Sequence, residues 1–243
     1  MRSHLPHMPR KTFPRLSLTD TLVERTLRVV TDPGPNPEWT PLTDDDYAAL
    51  AHDIIKAHLG PIPIFAYGSL IWNPNFEVGD VRKAVAHGWH RSFCLDIRQW
   101  RGTPEQPGLM MALAKGGSAT GLIMDIAKGH EAEALDALLR RELVAKEMVS
   151  NIRWVKARSH RGLENVLTFW AGPQGDMVIT LPPEEQARRL ARACGHGGSG
   201  AQYLHNTVRK MAEFGLHDRN LNRLDHLVAA EIASWPEQTA CCA

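Results

Sequence analysis

No stretch of this chain is apolar for the roughly 18 residues that a helical membrane span requires. Cysteine is scarce: four residues in 243, with Cys94 and Cys194 isolated and Cys241 and Cys242 adjacent near the C-terminus. That spacing makes no disulfide framework and points to a reducing, cytoplasmic setting. Charge of one sign is lacking as well. A formal net charge of +1 leaves no electrostatic footprint for nucleic acid or for a membrane surface. The first residues, Met1 to Lys11, have no apolar h-region and read as an arm rather than a secretory signal. What is present is an ordinary globular composition, 43% hydrophobic and 23% charged, which can build a sizeable core. Residues 1–16 are expected to be a disordered arm, 17–236 a single domain, and 237–243 a tail.

The chain contains no internal repeat and no low-complexity block. Thr19 to Val30 and Thr43 to His58 read as helices, the second opened by Asp44-Asp45-Asp46, which suits a helix N-terminus. Between them, Asp32-Pro33-Gly34-Pro35-Asn36-Pro37 must be a loop. Strands are expected over Ile62 to Tyr67, Val81 to Gly88, Arg91 to Ile97, Leu109 to Ala114 and Ala119 to Ile126. Gly129 to Glu147 has helical spacing, with Ala134, Leu135, Leu138, Leu139 and Leu143 on one face. Two further strands, Ile152 to Ala157 and Asn165 to Ala171, precede helices over Pro183 to Ala193, Ser199 to Phe214 and Arg219 to Trp235. Gly215 is placed to stop the second of these helices. The pattern predicts an α+β fold, a mostly antiparallel, barrel-like sheet flanked by helices.

The most informative segment is Ile64-Phe65-Ala66-Tyr67-Gly68-Ser69-Leu70-Ile71-Trp72-Asn73-Pro74. A buried strand breaks into Tyr-Gly-Ser, where glycine allows close backbone approach or positive φ. Successive N–H groups in such a turn can form a concave donor site for a carboxylate or an oxyanion. Arg140-Arg141-Glu142 supplies an acid/base candidate beside the apolar Leu138, Leu139 and Leu143. A carboxylate so placed is partly desolvated, which raises its pKa toward the range useful to a general base. Glu147 lies close by and competes for the role.

Several blocks together resemble the ChaC-like γ-glutamylcyclotransferases: Ile64 to Pro74, Gly88-Trp89-His90-Arg91-Ser92-Phe93-Cys94-Leu95, and Arg101-Gly102-Thr103-Pro104-Glu105-Gln106-Pro107-Gly108. Arg140-Arg141-Glu142, Gly198-Ser199-Gly200-Ala201-Gln202-Tyr203-Leu204 and Gly215-Leu216-His217-Asp218 continue the resemblance in the family's order. It implies the γ-glutamylcyclotransferase-like fold and a cytosolic enzyme that cleaves glutathione to 5-oxoproline and cysteinylglycine without metal or other cofactor. In that reading Ile64, Phe65, Ala66, Tyr67, Gly68 and Ser69 hold the γ-glutamyl group and Glu142 accepts the proton. The chain departs from the family pattern over Leu143 to Trp154, which has neither Gly nor Tyr, a difference bearing on one pocket wall and on selectivity.

Other motifs are weaker. Cys194-Gly195-His196 lacks a second pair at zinc-finger spacing. Gly195 to Gly200 resembles a phosphate loop in glycine content alone, without the following Lys-Ser/Thr. Trp72, Trp89, Trp100, Trp154 and Trp170 are interleaved with strands and read as core or pocket wall. The alternative to an enzyme is a non-catalytic sensor of γ-glutamyl metabolites or a regulatory binding protein on the same fold, which would keep Tyr67-Gly68-Ser69 and not need Glu142.

Overall fold

Five strands close into a barrel in the order β1-β3-β2-β4-β5. They span Pro63–Ala66 (β1), Val78–Ile97 (β2), Gly108–Ile126 (β3), Ile152–Ser159 (β4) and Gly162–Phe169 (β5). The computed structural model describes residues 16–172 and 177–236, so the expected arm up to residue 15 and the tail 237–243 lie outside the described residues. Neighbouring strands are antiparallel except at the closure, where Ile64 of β1 meets Leu167 of β5 in parallel. Phe65, Ala84, Ala86, Leu113, Ile123, Val155 and Val166 form one buried cluster drawn from all five strands, which places it inside the barrel. Ile64 and Ala66 join the other cluster, beneath the helices, as the two-residue alternation of a strand requires.

Two of the expected strand pairs are each one continuous strand. Val81 to Gly88 and Arg91 to Ile97 both belong to β2, and Leu109 to Ala114 and Ala119 to Ile126 both belong to β3. The glycines that looked like turns are bends within the ladder. Gly88 has φ 82°, and opposite it Gly116 and Gly117 have φ 101° and 68°. The register slips there, between His87 opposite Ser118 and Trp89 opposite Lys115. Only glycine takes such angles freely, and the bulge lets two long strands coil into a closed sheet.

The α-helices are α1 (Asp20–Glu24), α2 (Asp44–Ala57), α3 (Glu131–Glu142), α4 (Pro183–Arg192), α5 (Gly200–Glu213) and α6 (Arg219–Ala233), of which α4 and α5 pack against β3. Helix α1 is shorter than expected, ending before the apolar Leu27, Val29 and Val30, of which Leu27 and Val29 are exposed. A capping box starts α2: Thr43 Oγ1 accepts from the Asp46 N–H, and Asp46 Oδ2 accepts from the Thr43 N–H at 2.8 Å. Ala134, Leu135, Leu138 and Leu139 form the buried face of α3, as their spacing predicts. The helix stops at Glu142, however, five residues short of Glu147. Leu143 turns to an extended conformation and buries its side chain completely, and a 3-10 segment, Lys146–Asn151, leads into β4.

Candidate active site

At the end of β1 the chain leaves the barrel through Tyr67 and Gly68 into a single 3-10 turn, Ser69–Ile71. This turn, the last turn of α3 and Tyr203 of α5 face one cavity of about 610 Å³. Tyr67, Gly68, Ser69 and Glu142 all line it, so four of the seven residues expected at the site are brought together. Ile64, Phe65 and Ala66 are not. Their side chains have no solvent-accessible surface and belong to the barrel and helix cores, so they support the loop and do not face a ligand.

Gly68 has φ −136°, so of the two uses of glycine at such a break, close approach and positive φ, this position uses the first. A Cβ there would stand 3.0 Å from both Met111 Cε and the Tyr203 hydroxyl. The loop is fixed by a buried cation that sequence reasoning left without a role. Arg91 Nε donates to the Tyr67 carbonyl at 2.7 Å, its Nη2 donates to the Thr120 carbonyl, and its Nη1 pairs with Asp218 at 3.0 Å. Asp218 in turn caps α6 by accepting from the N–H groups of Asn220 and Leu221. The motifs containing Arg91 and Asp218 thus meet in one ion pair beneath the loop. Tyr67 is held at its other end, its hydroxyl donating to the Phe169 carbonyl at 2.9 Å.

Glu142 lines the cavity with 24% of its side chain accessible. Burial raises its pKa, and the charge of Arg141, with Nε 3.3 Å from Oε1, acts in the opposite direction. Arg141 also reaches the loop: Nη2 donates to Ser69 Oγ at 2.7 Å and Nη1 to the Asn73 carbonyl. One guanidinium therefore spans the carboxylate and the glycine turn. Burial raises the pKa of both the Tyr67 and Tyr203 phenols, and the negative charge of Glu142 raises them further. Glu147 is different. It lies beyond the helix and, although it also lines the cavity, is exposed; its own backbone N–H, and then the Thr40 N–H from which both its oxygens accept at 3.3 Å, hold its pKa down. A carboxylate held in its charged form by hydrogen bonds is a poor base, so the two candidates separate in favour of Glu142.

Arg101 and Tyr203 were not singled out by the sequence as individual residues, although both lie in the segments that carry the family resemblance. Arg101 Nη1 donates to the Ser199 carbonyl at 2.9 Å, and its guanidinium lies 5.2 Å from the centre of the Tyr203 ring. Burial lowers its pKa, and among the described residues it has no carboxylate partner. Tyr203 is held edge-on by Trp72 and Phe93 at 6.0 and 5.9 Å. The unusual segment after Glu142 forms one wall through Val144, Ala145, Met148 and Asn151. Cys94 and Cys194 are buried and unpaired, and neither lines the cavity; burial raises the Cys94 thiol pKa, which leaves it protonated and inert.

The model of the family described as ChaC-like protein matches residues 62–231. The chain belongs to this family. Among ChaC-like relatives, a protein of Escherichia coli K12 named glutathione-specific γ-glutamylcyclotransferase is 33% identical over 167 residues, covering 68% of this chain and 71% of the relative. Glutathione-specific γ-glutamylcyclotransferase 1 of rat is 28% identical over 145 residues, covering 58% and 65%. A solved structure of a γ-glutamyl cyclotransferase specific to glutathione from yeast superposes with a TM-score of 0.64 at 18% identity, covering 71% of this chain and 97% of that one, and thereby shares the fold. The ChaC-like match contains Tyr67, Gly68, Ser69, Arg91, Arg101, Glu142, Tyr203 and Asp218. It begins after residues 16–61, which nevertheless reach the cavity through Trp39.

Proposed function

We propose that this chain is a γ-glutamylcyclotransferase that cleaves glutathione into 5-oxoproline and cysteinylglycine. The observation that carries the reading is the convergence of the Tyr67-Gly68-Ser69 turn and a desolvated Glu142 on one cavity, joined by Arg141. The names of the relatives above accord with it. The substrate's α-amine attacks its own γ-carbonyl carbon, a C–N bond closes a five-membered ring, and the amide bond to cysteine breaks. Holding the γ-glutamyl chain folded against the glycine turn removes much of the entropic barrier to this step. Glu142 takes one proton from the ammonium group to free the nucleophile and passes it to the departing cysteinyl nitrogen; the second proton, shed by the attacking nitrogen as the lactam forms, follows by the same carboxylate, so the amine leaves as an ammonium and nothing is consumed. The first N–H groups of the 3-10 turn have no acceptor within it and suit a substrate carboxylate or the tetrahedral oxyanion. Arg101, which has no carboxylate partner among the described residues, offers a cation for a substrate carboxylate.

In this reading both nucleophile and leaving group come from the substrate, so no cofactor takes part. A cytoplasmic setting accords with two buried thiols left unpaired. The purified protein incubated with glutathione should release 5-oxoproline, followed by mass spectrometry with γ-glutamyl-alanine as comparator. Binding of glutathione without 5-oxoproline would make the protein a sensor and overturn the reading.

The pH profile tests the base more directly. Glu142 works only when ionised, so kcat/KM should fall as pH drops through its pKa, which burial places above that of an ordinary glutamate. Arg141→Met removes the cation that opposes the effect of burial, so the acid limb should move to higher pH, whereas Arg141→Lys should largely restore it. An acid limb unmoved in Arg141→Met would separate Arg141 from the base.

A further inference from the structure

The chemistry proposed above leaves part of the cavity wall without a task. Trp39, Trp100, Ile97, Met110, Met148 and Met177 line it with apolar surface, and cysteinylglycine has only a thiol to set against them. The two indoles are stacked on each other, with ring centroids 5.9 Å apart and planes inclined by 21°. Neither is fully buried, and both line the cavity.

Both tryptophans are held in place by the backbone. Trp100 is the one non-glycine residue with positive φ among the described residues, at 56°. The Gly197 N–H donates to its carbonyl at 2.7 Å, and a Cβ on Gly195 would stand 2.3 Å from the same oxygen. A bulky residue kept in the left-handed region by close glycine packing is the sort of imposed geometry found where function needs a particular side-chain direction. Trp39 comes from the loop between α1 and α2. The Lys146 N–H donates to the Thr40 carbonyl at 2.8 Å, the Thr40 N–H donates to Glu147, and Gln99 Nε2 donates to the Gly34 carbonyl at 3.3 Å. The loop is thus anchored on the segment that follows Glu142 and on the residue before Trp100, whose other neighbour is Arg101.

We propose that Trp39 and Trp100 form a receptor for an apolar group on the leaving side of the substrate, so that the site takes S-alkylated or S-benzylated glutathione in preference to glutathione itself. The proposal rests on the γ-glutamyl reading of the site. Trp39 lies outside the residues matched by the family, which makes it a source of selectivity rather than of the shared chemistry. Methionines around the indoles suit this role, because their flexible thioethers adapt to substituents of different shape.

The test compares 5-oxoproline release from S-benzylglutathione and from glutathione by the full-length protein. A preference in kcat/KM of about tenfold for the benzylated compound is expected, the scale associated with burying one aromatic ring. Trp39→Ala should reduce that preference to near unity, and Trp39→Phe should keep most of it. Both rates come from one preparation, so any misfolded fraction cancels from their ratio. Release from glutathione without preference for the benzylated compound, or a preference unchanged in Trp39→Ala, overturns the receptor and leaves the γ-glutamyl reading standing. Release from neither compound rejects that reading, and the receptor with it.

Discussion

Replacing Glu142 with Gln should lower kcat by about a hundredfold or more, the loss expected when a positioned general base is removed. The same substitution should make the protein more resistant to heat. The sign follows from the direction of the pKa shift. Burial raises the pKa of Glu142 in the folded state, so its ionised form is disfavoured there relative to the unfolded chain. Any stability associated with the raised pKa is fully present below the unfolded value and is lost as pH rises through the folded one. At neutral pH the wild-type protein therefore carries a penalty that Gln lacks, and Tm should rise by about 2–4 °C for each kcal/mol relieved. The difference should vanish in acid, where Glu142 is protonated in both states. Rates with glutathione and thermal melts at pH 4 and pH 8 check both parts. A variant that is inactive and less stable at pH 8 would point to collapse of the Arg141 network instead of loss of a base. Retained turnover in Glu142→Gln would remove the residue from the mechanism.

The second large effect is expected at Gly68. Its missing side chain lets the turn pass within van der Waals contact of Met111 and Tyr203, and a Cβ alone would already stand 3.0 Å from each. Met111 can move its terminal methyl. Tyr203 has less freedom, since Trp72, Phe93 and Arg101 pack around its ring. Valine adds two further methyls, and overpacking of this kind costs roughly 1–3 kcal/mol. Gly68→Val should therefore raise KM for glutathione by about tenfold or more, one factor of ten per 1.4 kcal/mol. Gly68→Ala should fall between it and the wild type. Circular dichroism distinguishes a displaced loop from an unfolded protein. A folded Gly68→Val enzyme with unchanged KM and kcat would show that the turn does not hold the substrate.

The parts of this molecule that local pattern governs were readable from the sequence. The apolar spacing of Ala134, Leu135, Leu138 and Leu139 marked the buried face of α3, and Thr43 with Asp44 to Asp46 marked the start of α2. Helix α3 nevertheless ends earlier than its periodicity suggested, because burial of Leu143 outweighs helix propensity at that point. Glycines 88, 116 and 117 looked like strand breaks because an in-ladder bulge and a turn use the same residue for the same backbone reason. At the site, Tyr67, Gly68, Ser69 and Glu142 could be found because strand-to-turn breaks and carboxylates beside apolar faces leave local signatures. Arg91, Arg101 and Tyr203 had no such signature. Their roles depend on partners distant in sequence, Asp218 being 127 residues from Arg91 and Ser199 98 residues from Arg101, and no short window of sequence contains both halves of the interaction. Trp39 was hidden for the same reason, since only closure of its loop onto Thr40's partners brings it to the cavity.

The ion pair between Arg91 and Asp218 has a consequence for how the protein fails. Arg91 holds the carbonyl of Tyr67, and Asp218 holds the first turn of the last helix, so the two structures share a single fastening. With almost no accessible surface on Arg91, release of α6 would strand a buried cation, which is strongly unfavourable. Local fraying at this corner is therefore suppressed, and the glycine turn cannot loosen while the C-terminal helix remains docked. Loss of activity on heating then becomes the same cooperative event as loss of the fold, with no intermediate stage in which the barrel is intact and the site is open.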